Sequence, residues 1–576
     1  MGSLGRKRKC ATGLAALGLL IWSLAVGCGQ GTSNESDDPN QNPSTGAGGL
    51  QGVLMWKGDT SGAGLYGSET KLTPQNVNPQ QFGLRARFEV DGYVVAQPLY
   101  VSQLNMGDKG VHDVVLVATE HNSIYAFDAN GGPSALLWQR TYNENNSTPA
   151  PDNYGGRTTL GGEIGITGTP VIDRSTGAMY FVTMIQRAGV IEQWLRAVDI
   201  KTGADFGPGS MKIEASVPGD GRGSVNGQIP FDPVLQNQRP GLVLLNGKVL
   251  IAWGSFSDWG LYHGWLMAYD AASLQRVAVF NPTPQHQAVD DVFGPADHGG
   301  GGAFWQGGAP PTIDAQGNIY IVASDGSFNA DQGGSNYSDT VLRLQLTNSG
   351  FQVMDWFTPA NERCVNMADL EIGSGGVVLL PSSAGGGRRA VVINKEGRLY
   401  VLNPDNLGKF NPAGDSQIPQ QFMVGAQQCF EGMGEGHAEG ADWNRLYGNP
   451  AYWAGNLYVA PSNTTLRQYA VQNGTVQIAP LAQSGVAFGF RGGGVVVSAN
   501  GNSNGIVWVM QKEPSVGAAV LHAFDATSVS RELWNSSMNA PRDAMNTGTS
   551  FGVPVVADGR VIAAGKRQVS VYGLLQ

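Results

Sequence analysis

The chain has 576 residues, of which 83 are glycine and only 14% are charged, and its formal net charge is −10. Glycine at about twice its usual share of ~7%, with so few charges, argues for short apolar strands joined by tight turns and against a helical body. A surface this acidic excludes nucleic acid as a partner, because phosphates are repelled, and it makes anionic lipid headgroups equally poor partners.

The chain opens on Arg6, Lys7, Arg8 and Lys9 with no acid, and then on an apolar run from Ala11 to Val26. That run is short of the about 20 residues a membrane span needs, and a basic segment before a short apolar one is a secretory leader. The run ends at Leu24-Ala25-Val26-Gly27-Cys28, which resembles the bacterial lipobox, with Ala25 where leucine is usual. Residues 1–27 are therefore expected to be a lipoprotein signal peptide and Cys28 the lipidated residue. Gly29, rather than Asp, follows the cysteine, a pattern that implies passage to the outer membrane. Residues 28–50 are rich in Gly, Ser, Asn, Pro and Asp and read as a disordered tether. No later segment is apolar enough to span a bilayer.

From residue 51 to 576 the sequence repeats itself. Each unit has a short strand often holding Pro or Gly, a β-rich strand, a strand closing on Ala-Phe-Asp or similar, a turn and a last strand. The clearest copy is 115–128; others lie at 169–203, 241–270, 311–344, 391–402, 456–469, 506–534 and 554–572. Apolar and polar residues alternate within the units at the period of a half-buried strand. The Asp that closes the third strand is placed to cap the turn that follows. Self-similar four-stranded units are the signature of propeller blades. Eight are expected, with the segment around Met55, Trp56, Phe88 and Val90 completing the last, since the C-terminal copy lacks strands; seven blades is the alternative. Such closure removes exposed sheet edges. Of the four cysteines, Cys10 leaves with the leader and Cys28 takes the lipid. Cys364 and Cys429 remain, a pair expected to form a disulfide in an oxidising compartment.

Almost all of this body resembles the bacterial pyrroloquinoline quinone-binding-like (quinoprotein alcohol dehydrogenase-like) propellers. The stretches that carry the resemblance are 97–101, 117–121, 163–170, 237–242, 262–265, 373–376, 395–400 and 405–408. The resemblance implies an all-β, eight-bladed quinoprotein-like propeller. It also implies two kinds of function, because the architecture serves quinone- and Ca²⁺-dependent alcohol dehydrogenases as well as non-catalytic assembly scaffolds of the outer membrane. In the dehydrogenases an Arg or Lys contacts the quinone oxygens, and Lys395 stands at that place. A metal-binding Asn corresponds to Asp325, also an oxygen ligand. Three features depart from the pattern. The adjacent cysteine pair that stacks on the quinone is missing. Ala188 stands where a metal-binding Glu belongs. The acid expected from a Trp-Asp-Tyr-Asp segment has only 289–293 as a counterpart. A Cys-x-x-Cys-His haem site is also missing.

Other candidates for a ligand site at the channel mouth are Glu163, His263 and Trp265. A loop of four glycines joins Asp297 and His298 to Trp305, and a Gly-rich loop carries Glu431, Glu435, His437 and Glu439. The last has metal-ligand residue types but no zinc spacing. The leading reading is a lipid-anchored binding or scaffold propeller of the cell envelope, holding a partner protein, a polymer or a small molecule and needing no cofactor. The alternative is a dehydrogenase with an altered site that takes pyrroloquinoline quinone and Ca²⁺. The weakest is a metal-dependent lyase or hydrolase built on 431–439. The feature that separates the first two is whether Lys395 and Asp325 converge.

Overall fold

The computed structural model describes residues 49–153, 161–287, 289–291, 294–296, 300–425, 429, 444–511, 518–549 and 551–575. The leader, Cys28 and nearly all of the tether, together with His298, Glu435 and His437, lie outside these residues. The described chain is nearly all strand, with two short helices, Glu362–Met367 and Ala540–Asp543. No helix is long and apolar enough to cross a membrane among the described residues.

The strands form eight antiparallel blades arranged as a propeller. The first is centred on Val111–Ala118 and Ser123–Asp128, the second on Ala178–Arg187 and Val190–Asp199, and the third on Lys248–Ser255 and Trp265–Asp270. The fourth pairs Ile319–Ala323 with Thr340–Thr347, the fifth Arg389–Ile393 with Arg398–Leu402, and the sixth Asn456–Val459 with Thr464–Gln472. The seventh is built on Gly493–Asn500 and Ser503–Gln511. The eighth is made from both ends of the chain. Phe82–Tyr93 runs antiparallel to Arg560–Leu574, in register from Phe82 opposite Leu574 to Tyr93 opposite Lys566, and Val555–Ala557 completes the sheet. Leu65–Tyr66 also joins the seventh blade, parallel to Val497 and Ser498. The seam is fastened by aromatics: the Phe82 ring lies 5.6 Å from Trp508 and 4.9 Å from Trp534.

The expected alternation holds only at the outer strands. Central strands such as Ile319–Ala323 and Arg398–Leu402 are buried at every position. Each blade is covered on both faces by its neighbours, so inner strands need apolar residues on both sides. The core clusters accordingly join residues of adjacent blades, as Val391 and Leu399 of the fifth do with Leu457 and Tyr469 of the sixth. The closing aspartates cap their turns as their position suggests: Asp128 accepts from Asn130 N (2.8 Å), Asp199 from Lys201 N (2.8 Å), Asp270 from Ser273 N (2.9 Å) and Asp525 from Thr527 N (2.8 Å). Cys364 and Cys429 are joined by a disulfide across Cα atoms 6.0 Å apart.

Candidate functional site

Blade strands end in loops, and the loops of the third, fourth and fifth blades bring acidic residues to one place. Asp325 follows the strand Ile319–Ala323. Its turn is held by backbone: Gly302 N donates to its carbonyl (2.7 Å), and Gly326 N donates to Asn366 Oδ1 (2.8 Å). Gly301 runs so close that a Cβ there would sit 2.5 Å from Asp325 O, and its φ is +79°, a conformation glycine adopts without strain. This explains part of the four-glycine loop: its backbone is a structural lining of the Asp325 turn.

Lys395 follows the strand Arg389–Ile393 and is 9% exposed. Its Nζ pairs with Asp369 and lies 3.2 Å from Glu371 Oε2, while its backbone N donates to Glu371 O (3.0 Å). Asp369 and Glu371 arrive by way of the helix Glu362–Met367, whose end is closed by Leu370 N donating to Val365 O (2.9 Å). Asp369 has φ +52° and Asp339 has φ +48°, left-handed conformations that cost energy in a residue with a Cβ and cluster at working sites. Asp339 is fixed behind Glu371, accepting from Ile372 N (3.1 Å). Half-buried Asp258, from the loop after Lys248–Ser255, accepts from Ser255 Oγ (2.6 Å) and faces Asp369, Lys395 and Tyr262.

Five carboxyl groups (Asp258, Asp325, Asp339, Asp369 and Glu371) thus share one electrostatic cluster with a single ammonium, which Asp369 and Glu371 contact. Burial, and then the charges of Asp258, Glu371 and Asp369, hold Asp325 well above the usual carboxylate range. Burial pushes Glu371 up to about 7 against the pull of Lys395. Burial opposes the charge on Lys395, but Asp369 and Glu371 outweigh it and keep the amine protonated. Asp325 Oδ2, Asp339 Oδ2 and the hydroxyls of Ser324, Ser338 and Ser374 are buried with no hydrogen-bond partner. Among the described residues no three acidic, histidine or cysteine side chains close on a common point tightly enough to hold an ion by themselves.

Trp305 links this cluster to an adjoining cleft. Its Nε1 donates to Glu371 Oε1 (3.2 Å), and its ring packs against Phe551 (5.8 Å) and Tyr447 (6.3 Å). The adjoining cleft is lined by Trp56, Lys57, Tyr447, Phe490, Arg491 and Phe551, and its enclosed part, about 30 Å³, has room for a water or two.

Lys395 and Trp305 both touch Glu371, whose charge also acts on Asp325, so the three share one neighbour. Of the other sequence candidates, the three that are described do not join them. Glu163 pairs with His121 Nδ1 (2.9 Å), half-exposed in a separate ion pair. His263 is buried and spends both ring nitrogens inside the fold: Nδ1 lies 2.8 Å from Thr283 Oγ1 and Nε2 donates to Arg222 O (2.7 Å). Burial pulls it down to about 4, so it is neutral. Trp265 is fully buried, packed on Phe231 at 5.7 Å. The acids beside Lys395 come from 369 and 371; the side chains of the 289–293 segment lie outside the described residues. The signal was an acid-x-acid pair just ahead of Gly373-Ser-Gly-Gly, between Asp325 and Lys395; Asp258 and Asp339 had no signal of their own.

The structure is similar to solved quinoprotein dehydrogenases. Quinohemoprotein alcohol dehydrogenase ADHIIG from Pseudomonas putida HK5 aligns with a TM-score of 0.58 at 14% identity, over 91% of this chain and 80% of that one. Quinohemoprotein alcohol dehydrogenase from Comamonas testosteroni aligns at 0.56 and 14%, over 91% and 80%. A europium-containing methanol dehydrogenase aligns at 0.56 and 14%, over 91% and 98%. At this identity the likeness is one of fold. No family model and no curated protein sequence matches the chain.

Proposed function

We propose that the protein is an oxidoreductase of the quinoprotein alcohol dehydrogenase kind, acting at the propeller centre with a quinone and a hard cation. The observation that carries this is the single buried lysine among five carboxyl groups, with carboxylate and serine oxygens left without partners. Uncompensated buried acids either hold their protons or take a cation, and an all-oxygen donor set suits Ca²⁺ or a lanthanide. Asp325 and Glu371, with the serine hydroxyls beside them, are the residues that would hold it. When bound, the cation and quinone would supply Lewis-acid polarisation and a two-electron acceptor.

The chain's own residues would do the rest. Trp305 orients Glu371 through its indole N–H, which donates to Oε1. Lys395, held protonated, presents a fixed positive charge to any oxygen that approaches. The leader and the Cys364–Cys429 bridge support placing this chemistry outside the cytoplasm, on a lipid anchor at Cys28 in the outer membrane.

One observation favours the binding or scaffold reading instead. The cleft beside Trp305 has Phe551 in its wall and an enclosed part of only about 30 Å³, too small for a tricyclic quinone. Titration of the tag-free soluble body with pyrroloquinoline quinone and Ca²⁺, followed by absorbance and thermal shift, separates the two. The dehydrogenase reading expects saturable binding that Lys395→Ala abolishes. Absence of binding at high micromolar cofactor leaves a recognition propeller and sends the search to envelope partners.

A further inference from the structure

The ring of Phe551 is shared by two guanidinium groups. Arg239 lies 5.8 Å and Arg491 5.3 Å from its centre. Neither makes a hydrogen bond or ion pair to another described residue, and Arg239 is only 7% exposed. A buried guanidinium without an anion is costly, and an aromatic face compensates it only in part. The acid whose charge reaches Arg239 is Glu120. Glu120 Oε2 accepts from Gly165 N (2.8 Å) and Thr167 Oγ1 (3.0 Å), while Oε1 has no partner. Burial pushes it up to about 8, so at neutral pH it carries its proton and leaves Arg239 without a counter-charge among the described residues.

Among the described residues the cleft next to this arrangement is lined by no acidic side chain, and its charged members are Lys57 and Arg491. Phe551 and Arg491 both sit at left-handed backbone angles, φ +62° and +79°, beside Gly552 and Gly492, so the ring is held in place by strained backbone next to free-turning glycines.

We propose that this vestibule is an anion site, in which the carboxylate of a ring-sized ligand seats against Arg239 and Arg491 in the place that the Phe551 ring holds. Trp305 touches Phe551 on one side and Glu371 on the other, so the far end of such a ligand falls at the acid–lysine cluster. The fitting class is a small aromatic or cyclic acid with a hydroxyl opposite its carboxylate. The hydroxyl end rests on the dehydrogenase reading; the carboxylate end does not.

The test is calorimetric titration of the soluble body, free of quinone and calcium, with 4-(hydroxymethyl)benzoate, benzoate and benzyl alcohol. Both acids are expected to bind saturably and more weakly as salt is raised, with benzyl alcohol about tenfold weaker or worse. Arg491→Gln, at the exposed rim where folding is safe, is expected to cut acid affinity by about tenfold and leave the alcohol unchanged, and Arg239→Gln to do the same where it folds. Equal binding of acid and alcohol, or acid binding indifferent to Arg491→Gln, overturns the proposal. Because the quinone also bears carboxylates, the titration is repeated after loading with quinone and Ca²⁺. Benzoate that still binds assigns the seat to substrate; benzoate that is excluded assigns it to the cofactor. A chain that binds benzoate but no quinone keeps this inference and loses the dehydrogenase reading.

Discussion

Lys395 and Glu371 show how burial sets chemistry one residue at a time. A carboxyl group lifted from its ordinary 4.5 to about 7 binds a proton more tightly folded than unfolded. Its contribution to stability is therefore full below the ordinary value and is lost as pH rises through about 7. The calcium-free chain is expected to lose thermal stability across that window, and Glu371→Gln to flatten part of the slope; Glu120 and Glu362, both pushed up to about 8, share the remainder with the raised carboxyls of Asp59, Asp258, Asp325, Asp339 and Asp415. A melting-temperature series over pH checks this, and a slope unchanged in Glu371→Gln contradicts it. Asp325 and Lys395 were legible in the sequence because each directly follows a recognisable blade strand. Asp258 also follows a blade strand, Lys248–Ser255, but no motif marks it, and Asp339 and the pair Asp369 and Glu371 follow no strand of the repeat directly. They reach the site through loops of different blades, so their meeting is a long-range fact that no local pattern records.

At the scale of elements, the blade strands were legible because their β-branched runs and closing aspartates are local signals, and the observed Asp caps obey them. The alternation expected of half-buried strands failed at the blade centres, where both faces are covered. The helix Glu362–Met367 had no signal and matters most, because it links the site's parts. Asn366 holds the Asp325 turn, the chain then runs into Asp369, and Cys364 is bridged to Cys429, whose N–H donates to Glu396 beside Lys395 (2.8 Å). The bridge closes 65 residues. Chain entropy alone makes a loop of that size worth about 4 kcal/mol. Reduction, or Cys364→Ala with Cys429→Ala, is expected to lower the melting temperature and to raise hydrogen exchange in the peptide 368–376 while the far-UV spectrum stays that of a β protein. Unchanged exchange in that peptide contradicts the brace.

Over the whole molecule, ring closure explains how such distant residues are held still. Phe82–Tyr93 and Arg560–Leu574 lock the two ends into one blade, which closes the ring of eight sheets and leaves only short edges at each blade's outer strand. Eight blades and the N-terminal closure were both readable from the truncated last repeat. The packing of Phe551 against Trp305 was not, because it joins a loop at one end of the chain to a loop near its middle.

The account stands on the claim that the propeller's centre takes a hard cation beside Trp305. Terbium tests it directly: an ion at Glu371 lies next to an indole that donates to the same carboxylate, so exciting tryptophan should light it. We expect saturable sensitised emission that Ca²⁺ displaces, that fades in Trp305→Phe with binding retained, and that Asp325→Ala with Glu371→Gln removes. Emission that does not saturate, or that survives in the Asp325→Ala, Glu371→Gln protein, contradicts a cation site at the centre of this propeller.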